Sequence, residues 1–563
     1  MKFSEFTYER PNLEAFKNEF EVLLKQFNDS KNLEEQDQLM ADINNLRGKF
    51  DTMEQIAYIR HTINTEDDIY EEEQNFFDQN KPVYDEMISK YYKALTDSKY
   101  QKELEEKWGE QVFNIANLTM KTFSTEIIED LKEENKLMSE YTKLLSSAQI
   151  DFEGEKRSLP QLRPFQMSTN RNIRKNANEA KYNFFKENEQ KFDDIYDKLV
   201  KVRDQMAKKL GYENFIELGY DRMVRSDYNP EMVKNFREQV RKDIVPIATN
   251  LREIQKNRLE LNKLMYYDEI LTFKDGNANL IGDADYILKN GKEMYESLSK
   301  ETKVFFDEMV EKECMDLLSK KGKSPGGYCT YINDYKMPFI FSNFNGTLDD
   351  IDVLTHEAGH AFQVYESRKY ELPEYNFPTL EACEIHSMSM EFFTWPWMDL
   401  FFGDQADKYR FGHLSEALLF IPYGVTVDEF QHFVYENPKA TPEERRSAWR
   451  EIEKKYLPHR DYGDHDYLES GAYWHQQGHI FKNPFYYIDY TLAEVCAFQF
   501  WKKSREDWKL AWKDYLRLCR AGGSKSFLEL VELADLKSPF EDGCIKSVIG
   551  EIEKWLKEEK QQD

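Results

Sequence analysis

Cysteine is scarce and unpatterned in this chain. Six residues in 563 (Cys314, Cys329, Cys383, Cys496, Cys519 and Cys544) form no C-x-x-C pair. That usage fits free thiols in a reducing cytosol rather than a disulfide framework. Long apolar runs are missing as well: no stretch approaches 18 apolar residues, so no membrane span is expected. The opening residues, Met1 to Arg10, hold no apolar segment of the kind a secretory signal requires. Positive charge is in deficit, with 77 Lys and Arg against 105 Asp and Glu for a formal net charge of −28. Nucleic acid and anionic membrane are therefore disfavoured as partners, because both need local positive charge. No fixed-period repeat and no low-complexity linker is evident, and a soluble, cytoplasmic protein is the expectation. Histidine is rare too: of ten residues, only His61 precedes residue 356.

What is present is length, aromatic content and helical periodicity. A chain that is 32% charged yet 15% aromatic is globular and long enough to bury a sizeable core in two to four lobes. Leu13 to Phe27, Leu33 to Ala57, Glu71 to Leu95 and Ile127 to Phe152 carry helix-period apolar positions, mixed-sign faces and few Gly or Pro, which suits antiparallel helical hairpins. A break from Gly154 to Pro164 precedes another helical stretch, Arg171 to Leu210. The texture changes after Lys320. Ser324-Pro-Gly-Gly327 reads as a turn, and Tyr328 to Ile332 with Pro338 to Phe344 read as two strands across an Asn333-Asp334 turn. The spacing predicts an almost all-α fold with this small sheet beside the next helix.

That next helix carries His356-Glu357-Ala358-Gly359-His360. Positions four apart on a helix lie about 40° from each other around the axis and one turn apart. Two imidazoles so placed can hold one metal ion from one face, and the intervening glutamate is placed to act as a general base on a water. This is the H-E-x-x-H pattern of zinc peptidases. Thr347-Leu-Asp-Asp350 suits a capping box, and Ile351, Val353, Leu354, Ala358, Ala361, Phe362 and Val364 supply the buried face. A third ligand must come from beyond Pro373 and Pro378, where Thr379 restarts a helix containing Glu381, Glu384 and Glu391. Glu366 and Gln363 stand where a metzincin needs His and Gly. Thr379 stands where one aminopeptidase type needs Glu.

With Glu384-Ile-His-Ser-Met-Ser-Met-Glu391-Phe-Phe beginning 24 residues after His360, the chain resembles the oligoendopeptidase F and thimet oligopeptidase family of zinc peptidases, bacterial Pz-peptidases included. Ser168-Thr-Asn-Arg171-Asn-Ile-Arg174, Arg203 to Phe215 and Ala521-Gly-Gly-Ser-Lys-Ser-Phe are similar to further segments of that family. The resemblance implies one Zn2+ per chain, held by His356, His360 and Glu384, with Ser387 after the third ligand. Glu381 is then a group that orients a ligand histidine, and His386 is a packing residue. The segment His475-Gln-Gln-Gly-His479 to Tyr487-Ile-Asp-Tyr490 resembles the family's substrate- and oxyanion-binding element, which lands on His479, Tyr487 and Tyr490. Phe481-Lys-Asn-Pro stands where thimet-type relatives have a glycine-rich run, so His475 remains an alternative to His479.

The resemblance further implies a two-lobed helical ellipsoid with a deep substrate channel. Residues 1–195 would form an N-terminal helical lobe covering the channel, and 196–563 the catalytic domain. Expected activity is endopeptidase cleavage of short unfolded oligopeptides. The zinc would lower the pKa of a bound water from roughly 16 to about 7, Glu357 would take its proton, and Tyr487 or Tyr490 would steady the oxyanion. The 328–344 hairpin would hold substrate backbone extended. A dipeptidyl carboxypeptidase of the same broad family and a non-catalytic peptide-binding protein are the alternatives.

Overall fold

The computed structural model describes residues 1–324 and 326–559. Pro325, part of the expected Ser324–Gly327 turn, lies outside the described residues. The molecule is 71% helical, with two small sheets among the described residues, which is the nearly all-α class the sequence predicts. No described helix is long and apolar enough to cross a membrane. Chain contacts divide the molecule into two units, each built from separated segments. The first joins residues 1–120, 279–406 and 496–537; the second joins 121–278, 407–495 and the residues from Ser538 onward.

In the first unit, three long helices (Leu13–Asp29, Leu33–Ile63 and Asp68–Thr96) run where periodicity places them. Each has an Asn or Asp side chain accepting from a first-turn amide, at Asn12, Asn32 and Asp67, which satisfies donors that a helix start leaves open. They bury an aromatic core in which Phe50 stacks on Tyr84 at 4.6 Å and lies tilted against Phe16 at 5.0 Å. Leu372 and Tyr375 join that same core, so the N-terminal helices grip the connection between the two helices of the metal motif.

The larger sheet also belongs to the first unit. Its order is β3 (Met315–Leu318), β5 (Met337–Phe344), β4 (Tyr328–Ile332). The β4–β5 hairpin is antiparallel with Tyr328 opposite Phe341, and its turn is a short 3-10 stretch at Asn333–Tyr335 closed by Lys336 in the left-handed region (φ 50°). The sequence reading lacks β3, which pairs parallel to β5 with Met315 opposite Ile340. Being central, β5 is buried almost throughout, and β4 is left as an edge strand.

The second unit holds a second small sheet where a helix was expected to run on to Phe152. The helix stops at Ser146, and β1 (Ile150–Phe152) pairs antiparallel with β2 (Glu155–Arg157). Glu153 and Gly154 both have positive φ (52° and 79°), the conformation that a two-residue hairpin turn demands. The expected helical stretch from Arg171 to Leu210 consists of two helices, Arg171–Glu187 and Glu189–Lys209, that meet at Asn188.

Candidate metal centre

The motif helix spans Asp349–Ser367. Its start departs from the expected capping box: Leu348 occupies the cap position without a side-chain bond, and Thr347 does not cap. Asp350 instead reaches further back, accepting from the amides of Asn345 (2.9 Å) and Gly346 (2.8 Å), a carboxylate placed at the positive end of the helix dipole. Ile351, Leu354, Ala358, Ala361 and Phe362 are fully buried, so one face of the helix is committed to the core. His356 and His360 stand one turn apart with rings 4.9 Å between centroids and 82° between planes.

Gly359 faces the following helix, Leu380–Phe393. A β-carbon there would stand 2.6 Å from Ser387 Cα and 2.8 Å from the His386 carbonyl oxygen. The absence of a side chain lets the two backbones approach until Glu384 meets both imidazoles. Glu384 Oε2 lies 3.3 Å from His356 Nε2 and 3.6 Å from His360 Nε2. The three donor atoms all fall within 4.8 Å of one another. A tetrahedral ion with bonds of about 2.0–2.1 Å separates its ligands by roughly 3.3–3.4 Å, so the spacing fits a small divalent cation. Ser387 Oγ donates to Glu384 Oε2 at 3.0 Å and fixes which oxygen faces the histidines.

Glu391 is the group on His356, with Oε1 2.8 Å from Nδ1; Glu381, expected to orient a ligand histidine, is not the partner of this nitrogen. The reason is helical phase. Glu391 lies seven residues after Glu384, about 20° away on the same face, whereas Glu381 is about 60° off. The His356 ring thus spans the two carboxylates: the one on Nδ1 holds that nitrogen as donor, leaving Nε2 free to bind a cation. With Glu357 counted, three carboxylates meet two imidazoles, and in the absence of protons that surplus of negative charge calls for a cation. Burial alone would depress the His356 pKa, but Glu384 and Glu391 outweigh it and hold it well above the usual value. Burial takes His360 down to about 4, leaving it neutral and able to coordinate.

Glu357 is 8% exposed and lies beside Gly327: a β-carbon there would sit 3.3 Å from Glu357 Oε1 and 3.5 Å from the β5 carbonyl oxygen of Phe341. Burial lifts its carboxyl to about 7; His356 opposes that rise, and Glu384 and Glu391 add to it. His386 is fully buried, its Nδ1 2.7 Å from the Ala382 carbonyl oxygen, a packing residue as expected.

The second unit brings His479, Tyr487 and Tyr490 together. Ring centroids lie 5.0 Å from His479 to Tyr487, 5.8 Å from His479 to Tyr490 and 5.7 Å between the tyrosines. Gln477, which sequence reasoning missed, ties His479 to Tyr423: its amide nitrogen lies 2.9 Å from His479 Nδ1 and its oxygen accepts from Tyr423 OH at 2.8 Å. His475 is wholly buried, with Nδ1 2.8 Å from Tyr467 OH and Nε2 3.1 Å from Asp193 Oδ1. Both its nitrogens are engaged in the core, so of the two candidates His479 is the one with the tyrosines. Phe485, two residues before Tyr487, adopts φ 68°, a conformation costing about 1–3 kcal/mol in a bulky residue. Its carbonyl and Asp489 are both held by the buried Arg225 guanidinium at 2.5 and 2.6 Å.

Residues 3–123 match the peptidase M3 N-terminal domain, and residues 165–272 and 290–548 match peptidase family M3. The chain belongs to peptidase family M3. The family match takes in both helices of the metal motif and the His479–Tyr490 segment. Among solved structures, a Pz peptidase A with a bound inhibitor is 62% identical, covers 99% of both chains and superposes with a TM-score of 0.94. Oligopeptidase PepF of Bacillus subtilis (strain 168) is 24% identical over 427 residues, which is 70% of this chain and 60% of PepF's own length. An oligoendopeptidase F homolog of Borreliella burgdorferi is 24% identical over 429 residues, 71% of this chain and 70% of that protein. M3 peptidases are metallopeptidases.

Proposed function

We propose that this chain is a zinc-dependent endopeptidase that hydrolyses internal bonds of short peptides. The observation that carries the reading is the convergence of His356, His360 and Glu384 with Glu357 alongside. Membership of the M3 family and the high identity to a Pz peptidase support it. His356, His360 and Glu384 would hold the Zn2+ ion, whose chemistry there would be Lewis acidity and the activation of a water near neutral pH. Glu357 accepts the proton of the attacking water on its carboxylate and returns it to the leaving nitrogen. Glu391 keeps His356 in the tautomer whose Nε2 lone pair is free. Tyr487, Tyr490 and His479 would be substrate contacts, a tyrosine hydroxyl being a donor of the kind an oxyanion needs. The β4 edge offers backbone groups on which an extended peptide can lie.

A quenched-fluorescent peptide blocked at both ends tests this directly. Internal cleavage that a chelator abolishes and zinc restores, with about one zinc per chain, is the expected result; an uncleaved blocked peptide would rule out the endopeptidase. The E357Q variant should keep its metal while turnover falls about 10²–10⁴-fold, and near-wild-type turnover would remove Glu357 from the mechanism.

A further inference from the structure

The second unit contains a cavity of about 230 Å³ that the metal-dependent chemistry leaves unused. Sites for whole drug-sized ligands run to roughly 300–1,000 Å³. This one suits a single end group, with room for about seven waters at ~30 Å³ each. Its lining combines Arg252, Arg258 and Arg460 with the carboxylates of Glu269 and Glu416, between apolar walls that include Leu251, Leu419 and Phe420. Three guanidinium groups against two carboxylates leave one positive charge in surplus.

Of the two arginines on Glu269, Arg252 is the less well matched. Arg460 takes both oxygens of Glu269, from Nε at 3.1 Å and Nη2 at 2.7 Å. Arg252 must share the same carboxylate from 3.7 Å, and its Nη1 is held by the Gln255 side chain and the Glu269 carbonyl. Its Nε is buried without a hydrogen-bond partner, and burial, with Arg460 adding to it, pulls the guanidinium below its ordinary pKa although Glu269 and Glu416 oppose the shift. Glu453, behind Arg460, is matched by Arg450 at 2.9 Å. Ser415 Oγ, on a residue 4% exposed that also lines the cavity, is a second buried polar atom with no partner. Donors left unpaired in a partly apolar cavity are costly unless an acceptor joins them.

The same wall runs to the His479 cluster. Phe420 lies 5.6 Å from the Tyr487 ring and 6.4 Å from Tyr490, and Tyr423 lies 5.8 Å from Tyr487. Tyr423 also donates to Gln477, which is bonded to His479.

We propose that this cavity is a carboxylate subsite: Arg252 and Ser415 receive one carboxylate of the peptide, from its C-terminus or from an acidic side chain, while an apolar stem lies along Leu419 and Phe420. The proposal rests on the reading of Tyr487 and Tyr490 as substrate contacts. Three otherwise identical quenched peptides test it: one ending in a free acid, one amide-ended with a Glu near the end, and one amide-ended with Gln in its place. Wild type should favour a carboxylate-bearing peptide by about tenfold in KM, the scale of a hydrogen bond to a charged group. Whether the free acid or the Glu peptide gains identifies the source. R252M, which removes the charge, and S415F, which fills the cavity and leaves the charge, should each bring the ratio near one, with melting temperature and metal content as folding controls. Equal KM for all three peptides in wild type, or an undiminished preference in both variants, overturns the subsite. Dissociation constants of the same peptides from E357Q, read by fluorescence anisotropy, separate the two claims. Absence of cleavage sinks the peptidase reading, whereas loss of carboxylate preference in binding sinks the subsite.

Discussion

Replacing Gly359 with alanine separates the geometry of the metal site from the stability of the fold. The new β-carbon would stand 2.6 Å from Ser387 Cα, 2.8 Å from the His386 carbonyl oxygen and 3.0 Å from Met390 Cβ. Non-bonded carbons settle at about 3.5–4.0 Å, so the two helices must part by about 1 Å. Two of the three atoms are backbone and cannot swing aside. For the fold, two effects oppose each other. Alanine gains about 1 kcal/mol over glycine in a helix interior, and overpacking costs about 1–3 kcal/mol. The net loss is therefore about 0–2 kcal/mol, a melting shift of a few degrees at most in a protein of this size.

For the metal the balance is one-sided. Glu384 Oε2 now lies 3.3 and 3.6 Å from the two imidazole nitrogens, and coordination tolerates displacements of about 0.2 Å. Parting the helices by 1 Å withdraws the carboxylate from the shared ion, so zinc affinity should fall at least 100-fold, beyond the roughly 10–100-fold typical of losing an outer partner. Competition between apo-protein and a chelating dye measures the affinity, and calorimetry or fluorescence melting measures the fold. A G359A protein that binds zinc within threefold of wild type would refute the close-approach argument, whatever its melting temperature.

Other perturbations follow from the same contacts. E391A removes the acceptor on His356 Nδ1 and should weaken zinc binding about 10–100-fold in the same competition assay; unchanged affinity would deny Glu391 its orienting role. Burial raises the Asp51 carboxyl to about 6, so the native state holds a proton that the unfolded chain releases near pH 4, and stability should fall as pH rises from about 4 to 6. D51N keeps an acceptor for Tyr84 OH, now at 2.8 Å, and should be more stable than wild type at pH 7, by up to about 3 kcal/mol; parallel urea titrations at pH 4.5 and 7 that show equal differences would rule this out. A β-carbon at Gly523 would lie 2.3 Å from the Phe377 carbonyl oxygen and 2.4 Å from that of Glu374, so G523A should cost about 1–3 kcal/mol, visible as a lower melting temperature.

Periodicity and spacing made much of this molecule legible before its structure. The three N-terminal helices begin where Asn12, Asn32 and Asp67 can cap them, and the β4–β5 hairpin falls between its turn residues. Two histidines four apart announce their shared face because helical geometry leaves them no other arrangement. The third ligand needed the resemblance, since Glu381, Glu384 and Glu391 all stand on one helix and nothing in the local sequence says which of them meets the histidines. Glu391 carried a signal that phase alone could have supplied: seven residues from Glu384, it shares that face. Other features left no local trace. Met315–Leu318 is four residues without alternation, and its pairing with Ile340 and Phe341 is decided by tertiary contact. The Glu153-Gly154 turn reads as a helix break until Ile150 and Phe152 are seen paired across it. The contrast between His475 and His479 is one of burial, which a single sequence with two nearby histidines does not encode.

The first unit also explains why residues so distant in sequence from the metal motif matter to it. The connection between the two motif helices is held from outside at three points. Arg47 and Tyr92 both bind the Glu374 carboxylate, at 2.7 and 2.6 Å. Tyr375 OH donates to the Trp108 carbonyl at 2.7 Å, and the Gly523 amide donates to the Tyr375 carbonyl at 3.0 Å. A buried Arg–Glu pair contributes little net stability once desolvation is counted, so stability is a poor account of Arg47 and Glu374. What such a pair does supply is a unique position, because charges taken out of water have few alternative partners. The Glu384 helix begins six residues beyond Glu374. A loop free to shift by 1 Å there would carry Glu384 out of reach of the histidines, so the N-terminal helices and the Gly522-Gly523 turn belong to the metal site as its outer frame.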